Sequence, residues 1–135
     1  MRIVLALSVL AIVAGCGSDS STITSASVSG TYTMQSINGN GLPFTLSSKS
    51  PPQTVTSGTL TISQNGSWSG GKNVTTTVNG QTTAMTLPDA GTVTVNGSAL
   101  IFTSNKDGSI FPGSFAGNSL TIMPDIYVYV FTKQP

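Results

Sequence analysis

From residue 28 onward, apolar and polar residues alternate with a period of two, the pattern of a half-buried β-strand. Tyr32 and Met34 alternate with threonines, and the same alternation recurs at Leu60 and Ile62. No window of this region has the three-and-four spacing of an amphipathic helix. The pattern predicts nine strands, over residues 29–37, 55–64, 67–78, 81–88, 91–95, 98–104, 109–116, 119–123 and 126–132.

Tight turns separate most of these strands. Asn65-Gly66, Asn79-Gly80 and Asn96-Gly97 are dipeptides that tolerate the positive φ angles of short hairpins. Strands joined in this way form an antiparallel meander, and pairing the first strand with the last removes two aggregation-prone edges. We therefore predict an all-β fold, a small antiparallel up-and-down barrel of 8–10 strands, with a two-sheet β-sandwich as the alternative.

One connection is long. Residues 38–53 include Leu42, Pro43 and Phe44, so this loop has apolar side chains to bury. Two interpretations stay open: the loop folds as a lid over one mouth of the barrel, or Phe44 plugs the end of the barrel as part of the core.

The amino-terminal segment has the pattern of an export signal. An apolar run covers residues 3–14, and a helix over it would span about 18 Å, well short of the ~30 Å hydrocarbon core of a bilayer. The run is therefore typical of a secretory signal peptide. The sequence that ends it, Val13-Ala14-Gly15-Cys16, resembles the lipobox of bacterial lipoproteins. That resemblance implies cleavage after Gly15 and a diacylglycerol on the Cys16 thiol.

These features divide the chain into three parts. Residues 1–15 are predicted to be the lipoprotein signal peptide, residues 16–27 the lipidated cysteine with a flexible tether, and residues 28–135 the barrel domain. The tether is small and polar, so it cannot bury much surface. Cys16 is the only cysteine, which excludes an intrachain disulfide. The expected location is the cell envelope, and Gly17 after the cysteine favours the outer membrane if the host has two.

The predicted domain is similar to small lipocalin-like lipoproteins of bacteria. The similarity lies in the opening Gly30-Thr31-Tyr32, in the strand over residues 57–62 before an Asn-Gly turn, and in the closing residues 129–133. The opening resembles the Gly-x-Trp of true lipocalins with Tyr in place of Trp, and the closing helix of lipocalins is missing. The resemblance implies a barrel and a cavity but carries over no binding residue.

Composition excludes several classes of function. Charged residues make up 7% of the chain, the formal net charge is +1, and there is no histidine. Ser-His-Asp and Cys-His mechanisms are therefore absent, as are the commonest zinc ligand and a basic face for nucleic acid. Ser69 and Lys72 have the S-x-x-K spacing of penicillin-recognising enzymes, but that motif requires a helix. Asp89, Asp107 and Asp125 each fall in a predicted turn. We predict neither enzymatic activity nor a cofactor, metal or nucleic-acid partner.

Aromatic residues are the remaining candidates for a site. A barrel of eight or nine strands is either filled by side chains or holds one small ligand. The aromatic side chains that would line such a cavity are Tyr32, Trp68, Phe102, Phe111, Phe115 and Tyr129. The sequence predicts a lipoprotein, bound to a membrane through the lipid on Cys16, whose barrel binds an apolar or amphipathic small molecule. The alternative is a solid-cored structural or protein-interaction module of the envelope with no ligand, and no protein partner is identified.

Overall fold

The alternating segments form strands in a computed structural model that describes residues 23–97 and 99–135. The predicted signal peptide, its cleavage site at Gly15 and the lipidation site at Cys16 lie outside these residues. The elements of the described part are α1 (Ser25–Val28), β1 (Gly30–Ile37), β2 (Asn40–Gly41), β3 (Phe44–Leu46), β4 (Gln53–Ile62), β5 (Ser67–Val78), β6 (Gln81–Asn96), β7 (Ala99–Ser104), β8 (Ile110–Ala116), β9 (Ser119–Ile122) and β10 (Tyr129–Lys133).

Eight of these strands close into an antiparallel barrel. From β4 to β10 each strand pairs with its neighbour along the chain, and β1 lies between β10 and β4. The short strands β2 and β3 add to the ends of β1 and β4. The predicted all-β, up-and-down barrel is therefore confirmed, and the sandwich alternative does not describe this chain.

The turn predicted between residues 88 and 91 is wrong, because β6 runs without interruption from Gln81 to Asn96. Pro88 lies on a stretch of β6 that has no partner strand on its outer side, so its missing N–H breaks no ladder hydrogen bond. The carboxylate of Asp89 accepts hydrogen bonds from the Ala90 N–H at 2.8 Å and the Ser104 hydroxyl at 2.7 Å. Residues typical of a turn are thus accommodated in an extended strand.

The last strand also differs from its prediction over residues 126–132. β10 begins only at Tyr129, and Ile126 is 75% exposed. The Tyr127 N–H donates to the Asp125 carboxylate at 2.9 Å, which fixes a turn just before the strand. Tyr129 and Phe131 are buried whereas Val130 is half-buried, so β10 is covered mainly on one face.

The long segment after β1 packs against the barrel. The two-residue turn Asn38-Gly39, with φ angles of 51° and 76°, leads into β2. In β3 the Phe44 ring packs edge-on against Tyr127 with centroids 5.9 Å apart, and Leu46 is fully buried. Phe44 therefore packs on the core, as one of the two sequence interpretations expects.

Helix α1 covers the end of the barrel where β1 begins. Thr24 and Ser27 form a capping box at its start, and Val28 at its end is fully buried. The Tyr32 hydroxyl donates to the Val28 carbonyl, and the Lys133 ammonium donates to the Ser27 carbonyl at 3.0 Å. The predicted flexible tether extends to residue 27, whereas in the structure residues 25–28 form a helix whose last residue packs into this end of the barrel.

At the opposite end, β5 and β6 extend beyond the rest of the barrel as a hairpin. The two strands pair continuously from Ser67 with Thr92 to Val78 with Gln81, and Asn79-Gly80 forms the turn. β7 pairs with β6 only from Gly91 onward. Residues 81–86 are all exposed, so this part of β6 is an uncovered strand edge.

Candidate functional site

Strand alternation on β5 and β6 places both apolar and charged side chains inside the barrel. Trp68 and Val74 are buried on β5, so Lys72, which shares their face, points inward as well. Lys72 is paired with Leu87 on β6, and Asp89 follows on the same face. The interior therefore includes a lysine and an aspartate among apolar residues.

A cavity of about 140 Å³ is bordered by four of these residues, Trp68, Lys72, Leu87 and Asp89, and extends toward the end of the barrel opposite α1. Its apolar wall includes Met34, Leu60, Trp68, Leu87, Phe111 and Phe131. Its polar side, here called the polar corner, is formed by Lys72, Asp89, Asp125 and Tyr129. An apolar cavity of about 150 Å³ is large enough to hold benzene. The cavity thus has room for one small ring and has a polar group within reach of it.

Three of the four side chains of the polar corner are linked by a chain of hydrogen bonds. The Lys72 ammonium donates to the Tyr129 hydroxyl at 3.4 Å and lies 5.0 Å from the centre of the Tyr129 ring. The Tyr129 hydroxyl donates in turn to the Asp125 carboxylate at 3.0 Å. Within the described residues the ammonium makes no ion pair with a carboxylate closer than 4.0 Å. Since an ammonium has three N–H donors, two remain available to a ligand.

Burial changes the pKa values of two side chains in the polar corner. It lowers the pKa of Lys72 from its usual value, and the charges of Asp125 and Asp89 oppose that shift. Burial raises the pKa of Tyr129, and the negative charge of Asp125 acts in the same direction. Tyr129 is therefore a neutral hydrogen-bond donor at physiological pH.

The apolar wall is held rigid by aromatic contacts. Trp68 packs edge-on against Phe102 and Phe111, with ring centroids 5.9 Å apart in both cases. Its indole N–H donates to the Thr92 carbonyl at 3.1 Å and to the Thr103 carbonyl at 3.3 Å. Phe102 stacks parallel to Phe111 at 5.3 Å. The indole thus has a fixed position at the edge of the cavity.

Three of the six aromatic residues predicted from the sequence border the cavity, namely Trp68, Phe111 and Tyr129. The other three are part of the packed core. Phe102 lies behind Phe111, while Tyr32 and Phe115 contact each other edge-on at 6.2 Å near α1. Contact between any of the six and a ligand stays a prediction.

Sequence reasoning missed the polar corner. The S-x-x-K spacing pairs Lys72 with Ser69, but Ser69 is exposed and lies on the opposite face of β5 from Lys72. The alternation that begins at Trp68 was the signal that could have placed Lys72 inside. The prediction that Asp89 lies in a turn is wrong, because Asp89 lies within β6 and faces the cavity.

The part of the chain that the structure describes contains no cluster of three His, Cys, Asp or Glu residues able to hold a metal ion. None of the helices over residues 23–97 and 99–135 has the length and apolar character needed to cross a membrane.

No protein-family model, no curated protein and no solved structure matches this chain. The cavity and the residues that border it are the basis of the function proposed next.

Proposed function

We propose that the barrel binds a small amphipathic molecule in the cavity between Trp68, Phe111 and the polar corner. The observation that carries the proposal is the combination of an aromatic wall with a lysine that has unused donors. Small-molecule sites commonly combine an apolar surface with a few polar groups that orient the ligand. The aromatic wall would bind the apolar part, and Lys72 with Tyr129 would bind the polar group.

Size restricts the ligand to a single ring or a short chain. The cavity volume of about 140 Å³ is less than half of the ~300 Å³ at which pockets for drug-sized molecules begin. Long acyl chains and fused ring systems therefore do not fit as the structure stands. A six-membered ring with one polar substituent is small enough for the cavity.

The donors and acceptors of the polar corner favour a ligand group that accepts hydrogen bonds. Asp125 already accepts from Tyr129 and Tyr127, and Asp89 accepts from Ala90 and Ser104. Lys72, in contrast, has donors to spare. A carboxylate on the ligand would satisfy them and neutralise the lysine charge.

The proposal places this activity in the cell envelope. Cleavage after Gly15 and lipidation of Cys16 would anchor the chain, because two or three acyl chains hold a protein on a membrane durably. The support is the lipobox-like sequence Val13-Ala14-Gly15-Cys16. In a host with two membranes, the outer one is the proposed location.

A solid-cored structural or protein-interaction module is the second candidate function. It is favoured by the close packing of the interior away from the cavity, where Tyr32, Leu100 and Leu120 are fully buried. Such a module would leave the cavity unused by any ligand.

Binding of three isosteric probes to the Cys16→Ser chain separates these functions. Benzoate, benzamide and benzamidine share one shape but carry charges of about −1, 0 and +1 at neutral pH, and calorimetry or ligand-observed NMR measures their affinity. We expect benzoate to bind most tightly, with a Kd on the order of 1 mM or below for a ligand of this size. Leu87→Trp should abolish binding by filling the cavity, whereas Met85→Trp, two residues away on the same face, should not.

Absence of binding for all three probes would contradict the ligand-binding function and favour the solid-cored module. Binding that Leu87→Trp leaves unchanged would show that the probes do not occupy the cavity and would contradict the proposal as well. Tightest binding of benzamidine would retain the cavity as a site but assign recognition to Asp89 and Asp125 in place of Lys72.

A further inference from the structure

The outer edge of β6 from residue 82 to residue 88 has no partner strand within the described part of the chain. β7 pairs with β6 only from Gly91 to Asn96, and residues 81–86 are all exposed. Leu87 is the only one of these residues that borders the cavity, and its backbone N–H and C=O point toward β5, away from the outer edge. An inference from it is therefore independent of ligand binding.

The turn of the hairpin determines which backbone groups point outward. Val78 and Gln81 close a two-residue turn, so they form a hydrogen-bonded pair across the hairpin. Alternate residues of β6 beyond Gln81 then direct their N–H and C=O groups toward β5, and the residues between them direct theirs away from it. The Ala90 carbonyl, which accepts from the Asn105 N–H at 2.8 Å, confirms this direction for the even-numbered positions. The outward-facing backbone groups belong to Thr82, Ala84 and Thr86.

We infer that this edge pairs with the same edge of a second copy of the chain, antiparallel and centred on Ala84. In that arrangement Ala84 lies opposite Ala84 of the second copy, and Thr82 lies opposite Thr86. Three hydrogen-bonded pairs with two hydrogen bonds each would form across the two-fold axis. Pro88, which has no N–H to donate, ends the run at one side.

The absence of charge along this edge supports a second copy of the chain as its partner. An interface with two-fold symmetry requires a surface that complements itself. The sequence from residue 73 to residue 88 contains no charged residue, so no like charges meet when two such edges approach. Natural strand edges are commonly protected by charges, and this one lacks that protection up to Pro88.

Side chains on the cavity-facing side of the hairpin also match in this register. Thr83 lies opposite Met85 of the second copy, and the exposed fraction of Met85 is 42%. On the other side the residues at the edge are Thr82, Ala84 and Thr86, which are small enough for close approach. Apolar contact with Met85 would add to the backbone hydrogen bonds.

Disulfide trapping tests the register directly, in the full chain carrying Cys16→Ser so that each variant has one thiol. The two Ala84 Cα atoms of a hydrogen-bonded pair lie about 5.5 Å apart, within disulfide range. The two Thr82 Cα atoms lie about 14 Å apart, because they are offset by four residues. Under mild oxidation we therefore expect Ala84→Cys to form at least about tenfold more covalent dimer than Thr82→Cys. An equimolar mixture of Thr82→Cys and Thr86→Cys should form the mixed dimer.

Sedimentation of the Cys16→Ser parent keeps the inference testable if a cysteine variant folds poorly. A concentration-dependent dimer supports it, provided that amide exchange at Thr82, Ala84 and Thr86 slows as the dimer forms. Equal crosslinking at positions 84 and 82 would refute the register. A parent that stays monomeric, together with an Ala84→Cys variant that forms no covalent dimer, would overturn the inference. An extended segment of a different protein would then be the remaining candidate partner.

Discussion

Replacing Gly91 with alanine is expected to destabilise the barrel by about 3 kcal/mol. A Cβ atom at position 91 would lie 1.8 Å from the Thr103 carbonyl oxygen and 3.0 Å from the Trp68 indole nitrogen. The nearer contact is with backbone, so β6 and β7 must separate by more than about 1 Å to relieve it. Gly91 is thus the position at which the Trp68 indole and two strands meet most closely.

The magnitude follows from the contacts that this separation removes. The Trp68 N–H loses its hydrogen bond to the Thr103 carbonyl, and the Gly91–Ser104 pair of the ladder is disturbed. Each hydrogen bond contributes about 1 kcal/mol, and displacement of the indole weakens aromatic contacts worth ~0.5–1.5 kcal/mol each. A small domain has only about 5–15 kcal/mol of stability in total, so the loss is easily measured.

Urea unfolding followed by fluorescence measures the effect, because Trp68 is the only tryptophan. Gly41→Ala is the matched control, since a Cβ at that position meets nothing within 4 Å. The control should unfold within about 0.5 kcal/mol of the parent. If Gly91→Ala and Gly41→Ala unfold at the same urea concentration, the close approach of β6, β7 and Trp68 described above is wrong.

Three further predictions concern the anchor, the buried tyrosines and the lysine. Cys16→Ser should release the protein from membranes while circular dichroism of the domain stays unchanged. Burial raises the pKa of Tyr32 to about 12, against about 10 in the unfolded chain. The contribution of Tyr32 to stability is therefore complete below pH 10 and falls by up to about 1.4 kcal/mol per pH unit between about pH 10 and 12. In unfolding experiments Tyr32→Phe should remove this part of the loss of stability at alkaline pH. At pH 7 the variant should be less stable by about 1 kcal/mol, because it lacks the hydrogen bond to the Val28 carbonyl. Lys72→Met should raise the free energy of unfolding by about 1 kcal/mol, because burial outweighs the attraction of nearby aspartates, and should weaken benzoate binding.

Each of these predictions has a result that contradicts it. Membrane retention of Cys16→Ser would exclude the lipid anchor. An alkaline loss of stability in Tyr32→Phe as steep as in the parent would show that Tyr32 titrates normally. For the lysine, Lys49→Met is the control, since Lys49 is exposed; equal stability and equal benzoate binding of the two variants would remove Lys72 from the site.

The strand plan could be predicted because alternation is a local property. Tyr32, Met34, Leu60 and Ile62 all proved buried, as their spacing indicated. The strand boundaries near residues 88 and 126 could not be predicted, since they depend on partners distant in sequence. Pro88 is tolerated within β6 only because no strand lies on its outer side, and a sequence does not show where a sheet ends.

The cavity was beyond sequence reasoning for a different reason. Its volume depends on which inward-facing residues the strand stagger brings to the same height along the barrel axis. Alternation specifies the face of a residue but not its height along that axis. Trp68 and Phe111 border the cavity, whereas Phe102, which is paired with Phe111 on the neighbouring strand, is packed behind them. A charged residue inside a small barrel is unusual, so sequence patterns give little reason to expect Lys72 at the cavity.

Helix α1 and the cavity lie toward opposite ends of the barrel. The chain enters the domain at Ile23, which packs on the core beside α1, whereas the cavity extends toward the far end. A stretch from Cys16 to Ile23 reaches at most about 25 Å. With acyl chains on Cys16, the end of the barrel covered by α1 would lie near the bilayer, and the cavity would face the aqueous compartment. Cargo would then arrive by diffusion through water and not laterally from the lipid leaflet, which suits compact, water-soluble compounds better than membrane lipids.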